Sequence, residues 1–365
     1  MERVEVAVVG AGVTGLAVAR ELRERGRSVV VLERDRIAAG ASGVQPGGVR
    51  QQWGTRVSCR LARESVAFWR EVNDRLPGRV PLTLRSGGYL FVAETDGALA
   101  RLAANVALQN DEGIPSRVVR AAEAAELVPG LERGAIVGGA WLEEDGYFDR
   151  PQAVVEAFAV GLDIRYLSVD EIVRDGAGWR AGPVHADAVV VAAGVDTAAL
   201  VAPLGIELPI EPEARYLFFS EPIRERLLEP LVVSAERGFA AKQLADGRVL
   251  ASDLSARGDA EGGRERWRAT IRAAGESLLP QLAHVSYPLL VDGVYDVTPD
   301  HQPILGPVED GLFVAAGFSG HGFMIAPAVA RITADAVEGR RDAVLGILGA
   351  DRFAAGRLVS EPQLV

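Results

Sequence analysis

Glu5-Val-Ala-Val-Val-Gly-Ala-Gly-Val-Thr-Gly-Leu-Ala-Val-Ala-Arg20, continued to Val29-Val-Val-Leu-Glu-Arg34, is the stretch that decides the fold. The apolar run Val6 to Val9 reads as a buried parallel strand. Gly10, Gly12 and Gly15 form G-x-G-x-x-G at the turn into a helix, on which Leu16, Ala19 and Leu22 recur at helical spacing up to Gly26. A second apolar strand, 28–32, closes on Glu33. The three glycines serve a tight turn, close approach of backbone to a pyrophosphate, and close packing of helix on strand. The helix N-terminus offers unpaired N–H groups and partial positive charge to phosphates. Glu33, about 20 residues past the glycines, is placed to accept the hydroxyls of an adenosine ribose. Strand, turn, helix, strand and terminal acid occur in order, so the reading is dinucleotide binding.

Working outward, 365 residues are enough for a large core and predict two domains. The net charge of −11 argues against a nucleic-acid partner, because phosphate binding needs clustered cations. No apolar run has the length of a membrane span. The first strand starts at once, which leaves no room for a signal peptide and predicts a cytoplasmic protein. The single cysteine, Cys59, excludes an internal disulfide and reads as a small buried apolar side chain among Val57, Leu61 and Val66. Lys242 is the only lysine, and no metal site is expected.

Residues 36–54 form a glycine-rich, irregular stretch whose small side chains let a flat ligand approach the backbone. A helix is predicted from about Thr55 to Leu76, then an antiparallel strand or hairpin over 82–92 around Gly87-Gly88. A helix over 96–112 and an acidic stretch, 121–131, follow. After Asp145-Gly-Tyr-Phe-Asp149 the chain returns to the first domain, with a helix from about Pro151 and strands at 164–167, 169–173 and 188–193. The last ends on Ala193-Gly194, at the strand edge where ligands of open α/β sheets lie. Strands at 216–220 and 249–252 and a helix at 264–278 belong to the second domain. A strand at 311–317 then leads into Phe318-Ser-Gly-His-Gly-Phe-Met324 and a helix over 326–337. The fold class expected is α/β: a Rossmann-like dinucleotide-binding domain (1–80, 140–207 and 291–365) plus an α+β substrate domain with an antiparallel sheet (81–139 and 208–290).

Either NAD or FAD could sit on the first motif. Thr298-Pro-Asp-His-Gln-Pro-Ile-Leu-Gly306 and Gly317-Phe-Ser-Gly-His-Gly-Phe-Met324, together with the N-terminal fingerprint, resemble the D-amino acid oxidase superfamily of FAD enzymes. Gly47-Gly-Val-Arg-Gln-Gln-Trp-Gly54 makes the chain most similar to the branch of the sarcosine oxidase β-subunit and L-proline dehydrogenase β-subunit. The resemblance spans about 4–337 and implies FAD as cofactor. The set implied to contact it is Gly10, Gly12, Val13, Thr14 and Gly15; Glu33 and Arg34; Ala41 and Ser42; Gly47, Gly48 and Val49; Val169; Ala193 and Gly194; and Gly320, His321, Gly322, Phe323 and Met324. The late helix, predicted to begin after Phe323, directs its positive end at the flavin edge that becomes negative on reduction. His321 is read as acting through its backbone, with its ring bonded locally. His185 and His284 are read as surface or packing residues, and His301 as structural.

Arg50 matches the family arginine that binds the substrate carboxylate, a task suited to a planar, bidentate cation. Tyr295 matches a tyrosine reaching the same carboxylate, and Trp53 could wall the pocket. The second domain's strands supply further walls, with Tyr216, Phe218, Phe239 and Lys242 as candidates. Three departures from the family follow. Gly293 stands where monomeric sarcosine oxidases attach FAD through cysteine, so the FAD is expected to be non-covalent. Met324 stands where they carry a second carboxylate-binding lysine. Their oxygen-activating lysine falls near Val249, with Lys242 on the same hairpin. The expected catalytic set is Arg50, Tyr295, Met324 and Lys242. The reading is oxidation of the C–N bond of a small, secondary or N-methyl amino acid by hydride transfer to flavin N5, to an imine that hydrolyses. A dehydrogenase is favoured, with O2 or a partner protein or quinone as the acceptor. An oxidase on a primary amine such as glycine, an oxidoreductase of specialised metabolism, and a flavin subunit of a hetero-oligomeric dehydrogenase stay open.

Overall fold

A computed structural model describes residues 3–78 and 81–363. The first expected domain boundary, at residue 80, lies outside the described residues. Two eight-stranded sheets organise the chain. In the first, five strands run parallel in the order Asp163–Tyr166, Val29–Glu33, Arg3–Val9, Val184–Val191 and Leu312–Ala316. Ile304–Glu309 pairs antiparallel beyond the last of them. The hairpin Ile172–Asp175 and Gly178–Ala181 pairs with the start of Val184–Val191.

The first helix, Val13–Glu24, buries Leu16, Ala17, Ala19 and Leu22 against the helices Pro151–Ala159 and Gly322–Val337. Ala326, Ala330 and Ala334 recur every fourth residue on the last of these, so the two backbones approach closely. That helix starts at Gly322, earlier than expected, and runs through Pro327. Proline lacks the N–H that would bond one turn back, and a neighbouring helix, Arg56–Arg70, covers the gap. Trp69 Nε1 donates to Met324 O at 2.8 Å, and Ala328 N donates to Ser65 Oγ at 3.2 Å.

The second sheet is ordered Leu289–Val297, Glu211–Phe219, Val249–Asp253, Phe239–Gln243, Leu231–Ser234, Tyr89–Ala93, Gly138–Leu142 and Arg117–Arg120. All its pairs are antiparallel except Leu231–Ser234 with Tyr89–Ala93. It reaches past residue 290, since Leu289–Val297 pairs along its whole length with Glu211–Phe219. The helix Ala260–Leu278 covers one face, where Trp267 stacks on Tyr216 with ring centroids 4.1 Å apart.

Of the antiparallel strand or hairpin expected over 82–92, strands form but do not pair with each other. Leu84–Arg85 joins a three-stranded sheet with Gly146–Phe148 and Gly48–Val49, whereas Tyr89–Ala93 enters the second large sheet. Gly88, at φ +86°, makes the transfer, and the Trp141 indole fills the space a Cβ would need. Among the described residues no helix is long and apolar enough to cross a membrane.

Behind the first sheet, the Arg352 guanidinium grips the Asp300 carboxylate through two bonds of 2.8 and 3.0 Å, with both side chains fully buried. Leu348, Gly349 and Gln302 carbonyls take further donors of the same guanidinium. Removing one partner of such a pair leaves an uncompensated buried charge. Arg352→Leu is expected to lower the unfolding free energy by about 3–5 kcal/mol, measured by urea denaturation. A loss below about 1 kcal/mol, the worth of an exposed pair, would contradict the buried geometry.

Candidate functional site

At the carboxyl edge of the first sheet lies a cavity of ≈ 750 Å³, within the range of small-molecule sites. Gly10, Gly12, Val13 and Thr14 line one end of it. Gly10 adopts φ +109°, and a Cβ there would run into the Ala192 carbonyl. A Cβ on Gly15 would overlap the Gly10 carbonyl. At Gly12 a Cβ would meet only Ser42 Oγ, at 3.3 Å, so the turn is open to the cavity. The three glycines thus differ: Gly10 makes the turn, Gly12 has open space beside it, and Gly15 packs against the turn. Helix geometry leaves the first-turn N–H groups without intrahelical partners. Ser42 Oγ accepts from Val13 N at 3.0 Å.

Glu33 faces the same cavity, its carboxylate fixed by Ala11 N at 2.8 Å and Asp35 N at 2.9 Å. Arg34 reaches over the mouth to Asp196 at 2.8 Å. Ala41, Val169, Ala193 and Gly194 complete this end. At the other end stand Tyr295, Gly320, Gly322 and Phe323. The Tyr295 ring occupies the space a Cβ on Gly320 would need, and the Arg215 guanidinium lies 5.3 Å from that ring's centroid. Two helix N-termini therefore open on one cavity with an anchored acid near the first, a cradle that suits a dinucleotide carrying a flat ring.

Gly47, Gly48, Val49, Arg50, Lys242, His321 and Met324 do not line this cavity; they lie beside it, between the sheets. The Tyr89 hydroxyl sits where a Cβ on Gly48 would be, with Met324 Cε 4.0 Å from that position. Lys242 pairs with Leu250, and Tyr89 with Leu231, on the sheet face turned to this loop. Lys242 is 1% exposed; its Nζ donates to Pro46 O and lies 4.0 Å over the Tyr147 ring. Burial pushes its amine down to about 7. Tyr216, Phe218 and Phe239 point to the opposite face, into the core under the helix Ala260–Leu278. They do not wall the site.

Arg50 is 2% exposed. Its guanidinium stacks 3.7 Å from the Trp53 centroid and 5.4 Å from that of Phe91. Nη1 donates to Gln52 O, and Nη2 to Gln363 O at 2.6 Å. No carboxylate forms an ion pair with it among the described residues. Trp53 also meets the edge of His321, with centroids 4.3 Å apart. The His321 ring is not bonded locally as expected, since Nε2 has no partner among the described residues. Burial, with Arg50 nearby, holds this imidazole well below its ordinary range, so it is neutral at pH 7.

Three features escaped sequence reasoning. Asp145 is fully buried and accepts from Gln51 N at 2.8 Å and Gln52 Nε2 at 3.2 Å, yet burial pushes its carboxyl up to about 7. Its only sequence signal was its place in Asp145-Gly-Tyr-Phe-Asp149. Tyr89 follows Gly87-Gly88 with no motif of its own. The segment 359–363, which reaches Arg50, has no periodicity at all. Cys59 is buried beside Trp53 O, and burial pushes its thiol up to about 12, as a packing residue requires.

The family model "FAD dependent oxidoreductase" (DAO) matches residues 5–336. The chain is 28% identical to glycine oxidase of Geobacillus kaustophilus, over 93% of this chain and 94% of that one. It is 24% identical to sarcosine oxidase subunit beta of Rhodobacter capsulatus, over 99% and 91%. Similarity to 4-methylaminobutanoate oxidase of Paenarthrobacter nicotinovorans is 26%, over 91% of this chain, which spans 43% of that longer protein. Among solved structures, L-proline dehydrogenase from P. horikoshii superposes with a TM-score of 0.89 at 26% identity, over 98% of this chain and all of that one.

Between pH 7 and 10.5 an unfolded Lys242 keeps a proton that the folded, buried amine has released. Unfolding therefore takes up a proton, and this group makes the wild type more stable as pH rises through that window. Lys242→Met removes the dependence. The stability of the variant minus that of the wild type should be greatest at or below pH 7 and shrink toward pH 10, by about 1.4 kcal/mol per unit. A difference that stays constant in urea titrations from pH 6 to 10 would show that Lys242 is not desolvated.

Proposed function

This chain belongs to the DAO family of FAD-dependent oxidoreductases, and on that premise we propose that it oxidises the C–N bond of a small amino acid, secondary or N-methylated. The observation that carries this reading is Arg50, a buried guanidinium stacked on Trp53 with no carboxylate paired to it. The Glu361 and Asp145 carboxylates act on Arg50 only from a distance. A buried cation without a directly bonded carboxylate is costly, and a substrate carboxylate supplies that partner through two parallel bonds. Tyr295, on the ribbon that crosses the cavity, is the second carboxylate contact. Met324 gives the site an apolar wall where a second cation would otherwise stand. FAD, when bound here, would supply the hydride acceptor for the substrate C–H. The chain's own share is positioning and electrostatics: Glu33 would hold the ribose, the free first-turn N–H groups of Val13–Glu24 the pyrophosphate, and the Gly322–Val337 N-terminus the ring edge.

The FAD is held without a covalent bond. Gly293, in the cavity wall, offers no side chain, and the protein's one cysteine is packed beside Trp53. Acid precipitation should leave all the flavin in the supernatant, whereas flavin retained in the pellet would refute this. The absence of the family's two lysines, one at the position of Met324 and one near Val249, favours an acceptor other than O2, either a quinone or a partner chain. Similarity to sarcosine oxidase subunit beta supports the possibility of a hetero-oligomer. The second reading, an oxidase on a primary amine, is favoured by the likeness to glycine oxidase and by the Lys242 amine at Pro46.

Anaerobic mixing with L-proline, sarcosine, N-methyl amino acids and glycine tests both. Bleaching of the flavin band by a secondary amino acid, with slow recovery in air, fits the first reading. Bleaching by glycine with immediate recovery and peroxide fits the second, and no bleaching by any of them sinks both. Arg50→Ala should keep its FAD and lose roughly 30-fold or more in kcat/KM. Unchanged kinetics would remove Arg50 as the anchor.

A further inference from the structure

Resting on the reading of Arg50 as the carboxylate anchor, a second question arises: how a substrate reaches it. The guanidinium is almost fully buried and does not line the cavity. Trp53 and Phe91 cover its flat faces, and the Gln52 and Gln363 carbonyls take donors at its edge. Trp53 and Gln52 belong to the same tight segment as Arg50, and Phe91 is in the middle of a sheet. Gln363 differs. It comes from a segment, 357–363, with no regular secondary structure, laid across the molecule after the last helix, Asp351–Ala354.

A few polar contacts tether this segment. Glu361 N donates to Asp300 O at 3.0 Å. The buried Glu361 carboxylate accepts from Gly54 N at 2.8 Å and from Thr55 Oγ1 at 2.7 Å. Asn105 Nδ2, on the helix Asp96–Asp111, donates to Gln363 Oε1 at 2.8 Å. The tether thus runs from the first sheet's side of the molecule to a helix packed on the second sheet. A main-chain carbonyl is a neutral oxygen with the hydrogen-bonding geometry of one carboxylate oxygen. On Arg50 it satisfies a donor without neutralising the charge, and a carboxylate does both.

We propose that the Gln363 carbonyl holds the place of a substrate carboxylate oxygen on Arg50, and that residues 359–363 form a strap that must lift for a carboxylate to enter. The exchange is favourable because a charged acceptor replaces a neutral one on a desolvated cation. Closure in the absence of substrate keeps that cation from standing unbonded.

A reversible lock tests this on the full-length holoenzyme. A Cβ on Gly54 would stand 2.7 Å from Pro362 Cδ and nearer still to Cγ, so cysteines at 54 and 362 fall within the span of a disulfide. The only natural cysteine, Cys59, is buried. In Gly54→Cys/Pro362→Cys, phenylglyoxal modification of Arg50, read by peptide mass spectrometry, should be at least tenfold slower in the oxidised than in the reduced protein. kcat/KM for whichever of L-proline, sarcosine or glycine reduces the flavin should fall at least tenfold on oxidation, with flavin content unchanged, and return on reduction. Equal labelling rates in the two redox states, or equal turnover, would overturn the strap. The reduced form of the same protein controls for any folding defect. The outcome is separable from the anchor assignment: if Arg50→Ala turns over normally, the anchor fails, whatever the lock does to labelling.

Discussion

Close contact between backbones at the first βα turn is the constraint on which the rest of the structure depends. Gly10 lies against the Ala192 carbonyl and Gly15 against that of Gly10, with no room for a side chain at either. Only with both positions bare can the helix Val13–Glu24 start where the strand Arg3–Val9 stops, its unpaired N–H groups facing the cavity. The neighbouring strand Val184–Val191 is then in register to deliver Ala193 and Gly194 to the same edge. The alanine-lined helix Gly322–Val337 packs on the first helix and brings a second N-terminus to the cavity. One steric condition thus turns two helix N-termini to one cavity.

The second sheet adds a different kind of control. One face is spent on its own core under the helix Ala260–Leu278. The other carries Tyr89 and Lys242 to the loop 46–48. Arg50 lies between these layers, desolvated, stacked on Trp53 and held by two backbone carbonyls. A cation in that condition is poised for an anion, and the same burial makes access to it depend on whatever covers it. Affinity and access are therefore two consequences of one choice, an arginine placed inside the protein and not at its surface.

Local chemistry made much of this legible. The order strand, glycine turn, helix, strand, acid depends on contacts within about 30 residues, so the spacing of Gly10, Gly12, Gly15 and Glu33 is read directly from the chain. The late helix was expected as well, over 326–337. It starts earlier, at Gly322, and runs through Pro327. Only the packed structure shows Ser65 and Trp69 bonding the backbone groups around it.

Sequence by itself determined the family and the strand–glycine turn–helix–strand order at the first βα turn. Tertiary structure alone decided which face of a strand meets the ligand. Lys242 and Phe239 are three residues apart on one strand and point to opposite sides, and only the pairing register assigns each side to core or site. It likewise sent Leu84–Arg85 and Tyr89–Ala93 to different sheets, because Gly88 yields to the Trp141 ring, a partner more than 50 residues away. The cover over Arg50 comes from Gln363, more than 300 residues along the chain. A contact between residues so distant leaves no periodicity in either segment, since what makes it is the shape of the space between the folded layers.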